Sequence, residues 1–282
     1  MKLFLTGCNG QLGRAINRYY ANNDNVEIVN TDVSELDITD IDQVMAMIDE
    51  VKPDAVINCA AHTGVDACES DVQNAYRINA IGPRNLSIAA AKVGAKIVHI
   101  STDYVFDGRA DKPYTEFDAT NPQGIYGKTK LAGEEFVKQF ADQYFMLRTA
   151  WLYGDGKNFV KTMLRLAETN NKVAVVGDQF GTPTSTKELV KAIDALLPTH
   201  NYGLFHATCE GSCSWAEFAK EIFRLSGKDV EVRAITTAEY PTPVARPAYS
   251  VLDNTMLRMT SDFVFSNWED AIKEYVEGGL IG

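Results

Sequence analysis

Cysteine and histidine are scarce in this 282-residue chain, with five of the first and four of the second. Cys8, Cys59, Cys68, Cys209 and Cys213 form an odd, scattered set, which argues against a disulfide framework and for free thiols. Only Cys209 and Cys213 lie close together, and no second pair or histidine cluster accompanies them, so the pattern predicts buried thiols and no metal site. Positive charge is short as well: 27 Lys and Arg stand against 38 Asp and Glu, a formal net charge of −11. An acidic surface disfavours nucleic acid and anionic membranes, which leaves small molecules as the expected partners. No apolar run approaches the roughly 20 residues needed to span a bilayer, and the opening apolar run meets a glycine turn too soon to read as an export signal. Repeats and low-complexity tracts are absent, and the expected location is cytoplasmic.

Hydrophobic residues make up 45% of the chain, enough for a large core. Lys2–Thr6, Val26–Thr31, Asp54–Asn58, Ile97–Ile100 and Phe145–Arg148 read as strands. Between them, Gln11–Asn22, a stretch capped at Thr39–Asp42, Asp71–Val93 and a segment starting near Tyr126 read as helices. This alternation predicts the α/β class: a Rossmann-like, doubly wound parallel sheet with a smaller, discontinuous substrate-binding lobe. Residues 1–152 plus 171–198 are expected to form the dinucleotide-binding domain, and 153–170 plus 199–282 the lobe. Ligands of such a sheet gather at the carboxyl ends of its strands, where Gly7, Asp32, Ala60, Thr102 and Trp151 fall.

The segment Gly7-Cys8-Asn9-Gly10-Gln11-Leu12-Gly13 spaces its glycines so that backbone and a helix N-terminus can approach a dinucleotide diphosphate. Asp32 lies 19 residues after Gly13, where an acid accepts hydrogen bonds from a ribose 2′-hydroxyl. No Arg or Lys lies between Arg18 and Lys52, which favours NADH and leaves NADPH open. Asp37 and Ile38 are candidates to flank the adenine, and Ala60 and Ala61 sit at a strand end beside the expected cofactor. Tyr126 and Lys130, four residues apart on a helix, share a face, so the ammonium is expected to lower the phenol pKa and to bond the nicotinamide ribose. Tyr126 would then give a proton to a carbonyl oxygen that Thr102 also hydrogen-bonds. His62 is a weaker candidate acid, His99 reads as a core residue, and Asn79 reads as a backbone anchor or an exposed polar residue. Trp151 would stack on a sugar or base, or pack in the core. Arg246 draws notice because an acidic protein must meet phosphates with local cations.

Longer matches accompany these features. They are Asn58-Cys59-Ala60-Ala61-His62-Thr63-Gly64-Val65-Asp66, Ser101-Thr102-Asp103-Tyr104-Val105-Phe106 and Tyr126-Gly127-Lys128-Thr129-Lys130-Leu131-Ala132-Gly133-Glu134. Arg148-Thr149-Ala150-Trp151, Asp178-Gln179-Phe180-Gly181-Thr182-Pro183-Thr184, and Tyr240-Pro241-Thr242-Pro243 leading to Arg246-Pro247 complete the set. On these residues the chain resembles, over nearly its full length, the extended short-chain dehydrogenases/reductases, and most specifically the dTDP-4-dehydrorhamnose reductases. The resemblance implies reduction of the C4 keto group of dTDP-4-dehydro-L-rhamnose by NADH or NADPH, giving dTDP-L-rhamnose for bacterial surface polysaccharide. It places Thr102, Tyr126 and Lys130 at catalytic positions, Thr63 beside both cofactor and sugar, and Val65, Asp103, Tyr104 and Trp151 at or beside the sugar. Arg246 would hold the nucleotide phosphates. Some members are magnesium-bridged dimers, but Ala15 and Lys187 stand where bridging carboxylates are expected, so the chain is read as a monomer or homodimer without metal. Two rivals share the resemblance: a nicotinamide-binding regulatory subunit, like the beta subunit of methionine adenosyltransferase, and a reductase or epimerase of another nucleotide sugar.

Overall fold

The computed structural model describes residues 1–279, so the last three residues of the expected lobe lie outside the described residues. Strand β1 (Lys2–Thr6) carries Leu3, Phe4 and Leu5 with no exposure on either face, as a central parallel strand requires. After the glycine turn, α1 (Gln11–Tyr20) buries Leu12, Ala15, Ile16 and Tyr20 on one stripe. The chain continues through β2 (Glu27–Thr31) and α2 (Ile41–Val51). Asp40 caps α2 by accepting from the Asp42 and Gln43 amides, and Lys52 ends it in the left-handed region at φ 46° before Pro53. Strand β3 (Ala55–Asn58) follows, buried throughout.

The helical stretch after β3 is not continuous. It divides into α3 (Val65–Ser70), α4 (Val72–Tyr76), a π-turn at Arg77–Ile81 and α5 (Gly82–Val93), which stops at Gly94 with φ +72°. Pro83 has no N–H for the Asn79 carbonyl four residues back, and the Gly82 amide donates to Arg77 five residues back instead. The freed Asn79 carbonyl faces Gly133, where any Cβ would collide with it, so helix α6 (Ile125–Phe140) packs close. Strands β4 (Lys96–Thr102) and β5 (Tyr144–Thr149) enclose α6 in sequence.

The six-stranded sheet runs Gly203–His206, β5, β4, β3, β1, β2, with every neighbouring pair parallel. Strand alternation divides its core: Leu3, Leu5 and Ile57 pack with α1 and helix Thr186–Leu196, while Phe4, Val56 and Ile97 pack with α2, α5 and α6. A separate cluster joins Val160 and Met163 to Phe218, Ile222, Trp268 and Ile272. The doubly wound sheet is thus as expected, but two strands change sides from the expected boundaries. Lys172–Val176 pairs with Glu231–Ile235 outside the main sheet, its alternating exposure suiting a ribbon with one apolar face. Gly203–His206 instead becomes the sixth strand beside β5, because helix Thr186–Leu196 leads into it as a crossover.

Candidate active site

The glycine turn is dictated by contact. Gly7 sits at φ +66°, and a Cβ there would lie 2.7 Å from the Ala60 amide nitrogen. At Gly13 a Cβ would overlap the Gly7 carbonyl and reach 2.6 Å from Cys8 Cα, so Gly13 serves packing of α1 against the turn. Gly10 opens onto two cavities, of about 600 and 550 Å³, that also share Cys59, Ala60 and Ala61. Asn9 is tied down from the side: its amide donates to Asp32 Oδ2 at 2.9 Å, while Val33 N donates to Oδ1 at 2.8 Å.

The smaller cavity collects Gly7, Asp32, Asp37 and Ile38. It also collects Arg77, which donates to Thr39 Oγ1 at 3.3 Å. The expected lack of a cation near Asp32 therefore holds along the sequence and fails in space, because the π-turn after α4 brings one in. The larger cavity collects Gln11, Leu12, Thr63 and Val65 with Thr102, Asp103, Tyr104, Tyr126, Lys130 and Trp151. Arg246 lies off this cavity and lines a third, of about 510 Å³, that shares Tyr104, Trp151 and Trp215 with it. There it donates to Asp66 Oδ2 at 2.7 Å, and its Nη1 has no partner among the described residues.

Thr102 ends β4 and donates to Asp103 Oδ1 at 3.0 Å. Tyr126, in the first turn of α6, meets the edge of Tyr104 at a ring separation of 5.5 Å. Burial pushes its phenol above the ordinary range, against a smaller opposite pull from Thr102. Desolvation outweighs the depression expected from Lys130, whose Nζ donates to the Ile100 carbonyl at 2.6 Å. Lys130 itself is pulled down to about 8 by burial, opposed by the nearby Glu134 carboxylate. Burial also raises the Asp103 carboxyl to about 6, against hydrogen bonds from Ser250 and Thr102.

Asn79 proves to be a buried anchor. Its Oδ1 accepts from His62 N at 2.8 Å, and its Nδ2 donates to His62 O at 3.0 Å and to Thr129 Oγ1 at 3.1 Å, tying the loop after β3 to α6. His62 Nδ1 lies 3.4 Å from Cys68 Sγ, and His99 is fully buried and held well below its usual range by burial. Trp151 adopts φ 48°, unusual for a side chain of its size, and stacks on Trp215 with centroids 3.4 Å apart. Gly181 leaves room for it, since a Cβ there would sit 2.6 Å from Trp151 Nε1. Trp215, Arg14 and Lys157 also line the larger cavity and were not singled out from the sequence. Arg14, four residues past Gly10 on α1, carried the one usable signal.

A parallel sheet whose carboxyl edge brings a strand-end threonine to a helix-borne tyrosine and lysine, next to a glycine turn, defines a Rossmann-fold reductase. The model of the RmlD substrate binding domain family matches residues 1–280. A dTDP-4-dehydrorhamnose reductase of Aggregatibacter actinomycetemcomitans is 41% identical, over 96% of this chain and 97% of that one. A crystal structure of a dTDP-4-dehydrorhamnose reductase from Clostridium acetobutylicum matches with TM-score 0.97 and 54% identity over all of both chains. Another, from Bacillus anthracis in complex with NADP, matches with TM-score 0.95 and 43% identity over 98% of this chain and 99% of that one. The chain belongs to the dTDP-4-dehydrorhamnose reductase family.

Proposed function

We propose that this cleft reduces the C4 keto group of dTDP-4-dehydro-L-rhamnose, using NADH or NADPH, to give dTDP-L-rhamnose. The observation that carries the reading is the meeting of Thr102, Tyr126 and Lys130 with Gly10 and Gln11 around one cavity of about 600 Å³. The turn fits a dinucleotide: Gly10 keeps the backbone open where α1 begins, and the helix N-terminus there favours a diphosphate. Asp32 has the position for the adenosine ribose, with Asp37 and Ile38 beside the adenine. The reduced nicotinamide, when bound, supplies the hydride.

This chain's residues supply the proton and its placement. Tyr126 Oη, held protonated by burial, gives its proton to the C4 oxygen as charge develops there, and the Thr102 hydroxyl, turning from Asp103 Oδ1, donates a second hydrogen bond to that oxygen. The Lys130 ammonium, one helical turn along, favours the phenolate left behind, which solvent reprotonates. Thr63, Val65, Asp103, Tyr104 and Trp151 surround the sugar, and Arg246 faces the nucleotide phosphates from the third cavity. Residues 1–152 with helix Thr186–Leu196 and strand Gly203–His206 form the dinucleotide side, and the cluster around Phe218 and Trp268 forms the sugar-nucleotide side.

The test mixes purified protein with dTDP-4-dehydro-L-rhamnose and each reduced nicotinamide. The expected outcome is oxidation of the nicotinamide in step with formation of dTDP-L-rhamnose, followed by absorbance and mass spectrometry. Retained cofactor binding without oxidation would favour a regulatory subunit, and reduction of a different keto sugar in preference would reassign the substrate.

A further inference from the structure

One buried ionic group on α6 has no part in the steps above. Glu134 is fully buried and receives Arg148 through both nitrogens of its fork, Nε to Oε1 at 2.9 Å and Nη2 to Oε2 at 2.7 Å. Ser101 Oγ donates to the same Oε1 at 2.6 Å. Arg148 lies in register beside Ser101 across β4 and β5, and its guanidinium rests 5.1 Å over the Phe106 ring. Burying such a pair costs desolvation that its attraction roughly offsets, and apolar residues of similar volume would serve stability as well.

Its location supplies a reason for the ions. Glu134 follows Lys130 by one helical turn, so the two share a face of α6. Ser101, which Glu134 holds, lies between Ile100, whose carbonyl accepts from Lys130 Nζ, and Thr102, which ends the strand in the catalytic cavity. The charged and titratable groups around Lys130 are Tyr126 and Glu134 on α6, Cys59 after β3, His99 and Asp103 from β4 and its end, and Arg148 from β5. Burial keeps His99 neutral and the Cys59 thiol protonated, and among these groups Glu134 gives the ammonium its largest favourable field.

We propose that Glu134 is a positioning residue: clamped by Arg148 and Ser101, it keeps Lys130 charged and holds the end of β4 so that Lys130 and Thr102 are set in register with Tyr126. The inference rests on the catalytic reading above. Glu134→Gln removes the anion and leaves Arg148 positive, so Lys130 must release its proton at lower pH.

The experiment follows two readouts against pH: kcat for the keto sugar nucleotide, and the Kd of NADH alone measured by protein fluorescence. In Glu134→Gln the alkaline break of both should move down by about one pH unit, a loss of about tenfold above the break with near wild-type behaviour below it. Glu134→Gln/Arg148→Met, which removes both charges, should return the break toward the wild-type pH. Glu134→Asp should keep the wild-type break with a lower kcat, and it carries the test if the glutamine variant does not fold. Superimposed profiles for wild type and Glu134→Gln, an equal loss at every pH, or a shifted break in Glu134→Asp would overturn the proposal. A wild type that binds NADH with the expected break but reduces no keto sugar would instead sink the catalytic reading, leaving Glu134 to be judged on binding.

Discussion

Burial raises the Tyr126 phenol and keeps it protonated, the state that the proposed proton donation requires. Phenylalanine there keeps the ring and its contact with Tyr104 and loses only the proton. Tyr126→Phe is expected to lower kcat by on the order of 10²-fold or more while NADH binding and the melting temperature stay close to wild type, checked by steady-state kinetics and fluorescence titration. Burial raises Asp103 too, with a different consequence, since it is the ionised carboxylate that is destabilised there, its pKa raised to about 6 from an ordinary 3.8. A raised acid favours the fold fully while protonated in both states, and that contribution disappears as pH rises through the folded value. Asp103→Asn should therefore be more stable than wild type by about 2–3 kcal/mol above pH ~6, with the difference closing toward pH ~4, while turnover falls. Denaturant unfolding of both proteins across this range checks it, and a difference independent of pH would refute the assignment. At this scale the sequence singled out residues by spacing, and of these Tyr126, Lys130 and Asp32 come to line the two cavities. Trp215 and Arg77 were invisible because only tertiary folding brings them to the cleft, and so was the burial that raises the Tyr126 phenol, because spacing carries no information on it.

The strand–turn–helix unit from β1 to α1 shows how an element is fixed by what its neighbours leave room for. Gly13 faces backbone atoms of Gly7 and Cys8, which cannot swing aside as a side chain would. Gly13→Ala is expected to cost about 2–3 kcal/mol in stability and to weaken NADH binding, because α1 must shift away from the turn that its N-terminus completes. Thermal unfolding with and without NADH measures both, and an unchanged midpoint would mean the turn is softer than its contacts imply. The β1–β5 strands and α1, α2 and α6 were readable because apolar periodicity and caps such as Asp40 are local signals. The break between α4 and α5 was not, although Pro83 marks it. A proline inside a helical pattern ends or kinks the helix, and here the disturbance is absorbed as a π-turn whose freed carbonyl lies against Gly133.

Across the whole molecule, a chain of net charge −11 binds anionic ligands only if its cations are placed locally, and several are held at the seam between the α1 face of the sheet and the cluster around Val160 and Phe218. The lobe boundary was the least legible feature of the sequence, because Lys172–Val176 and Gly203–His206 are both short apolar strands and only pairing decides which sheet each joins. Asp155 stands at this seam, 3.1 Å from Arg14 Nε, 3.3 Å from Lys161 Nζ and 3.5 Å from Arg18 Nη2. It thereby ties α1 to the loop that presents Gly156 and Lys157 to the larger cavity. Asn158 reinforces the tie, donating to Gly154 O at 2.6 Å and to Gln11 Oε1 at 3.3 Å. Half-exposed ion pairs contribute about 0–1 kcal/mol to folding, so Asp155→Ala should leave the melting temperature within a few degrees of wild type. What it frees is the loop's position over the end of the cleft that α1 opens. The expected result is a three- to tenfold rise in KM for NADH with kcat changed less than twofold, as the proposed reading requires, in which the loop helps hold the cofactor and Tyr126 transfers the proton. Equal losses in kcat and kcat/KM would instead place the loop's contribution in the transition state, and an unchanged KM would reduce the seam to a surface contact.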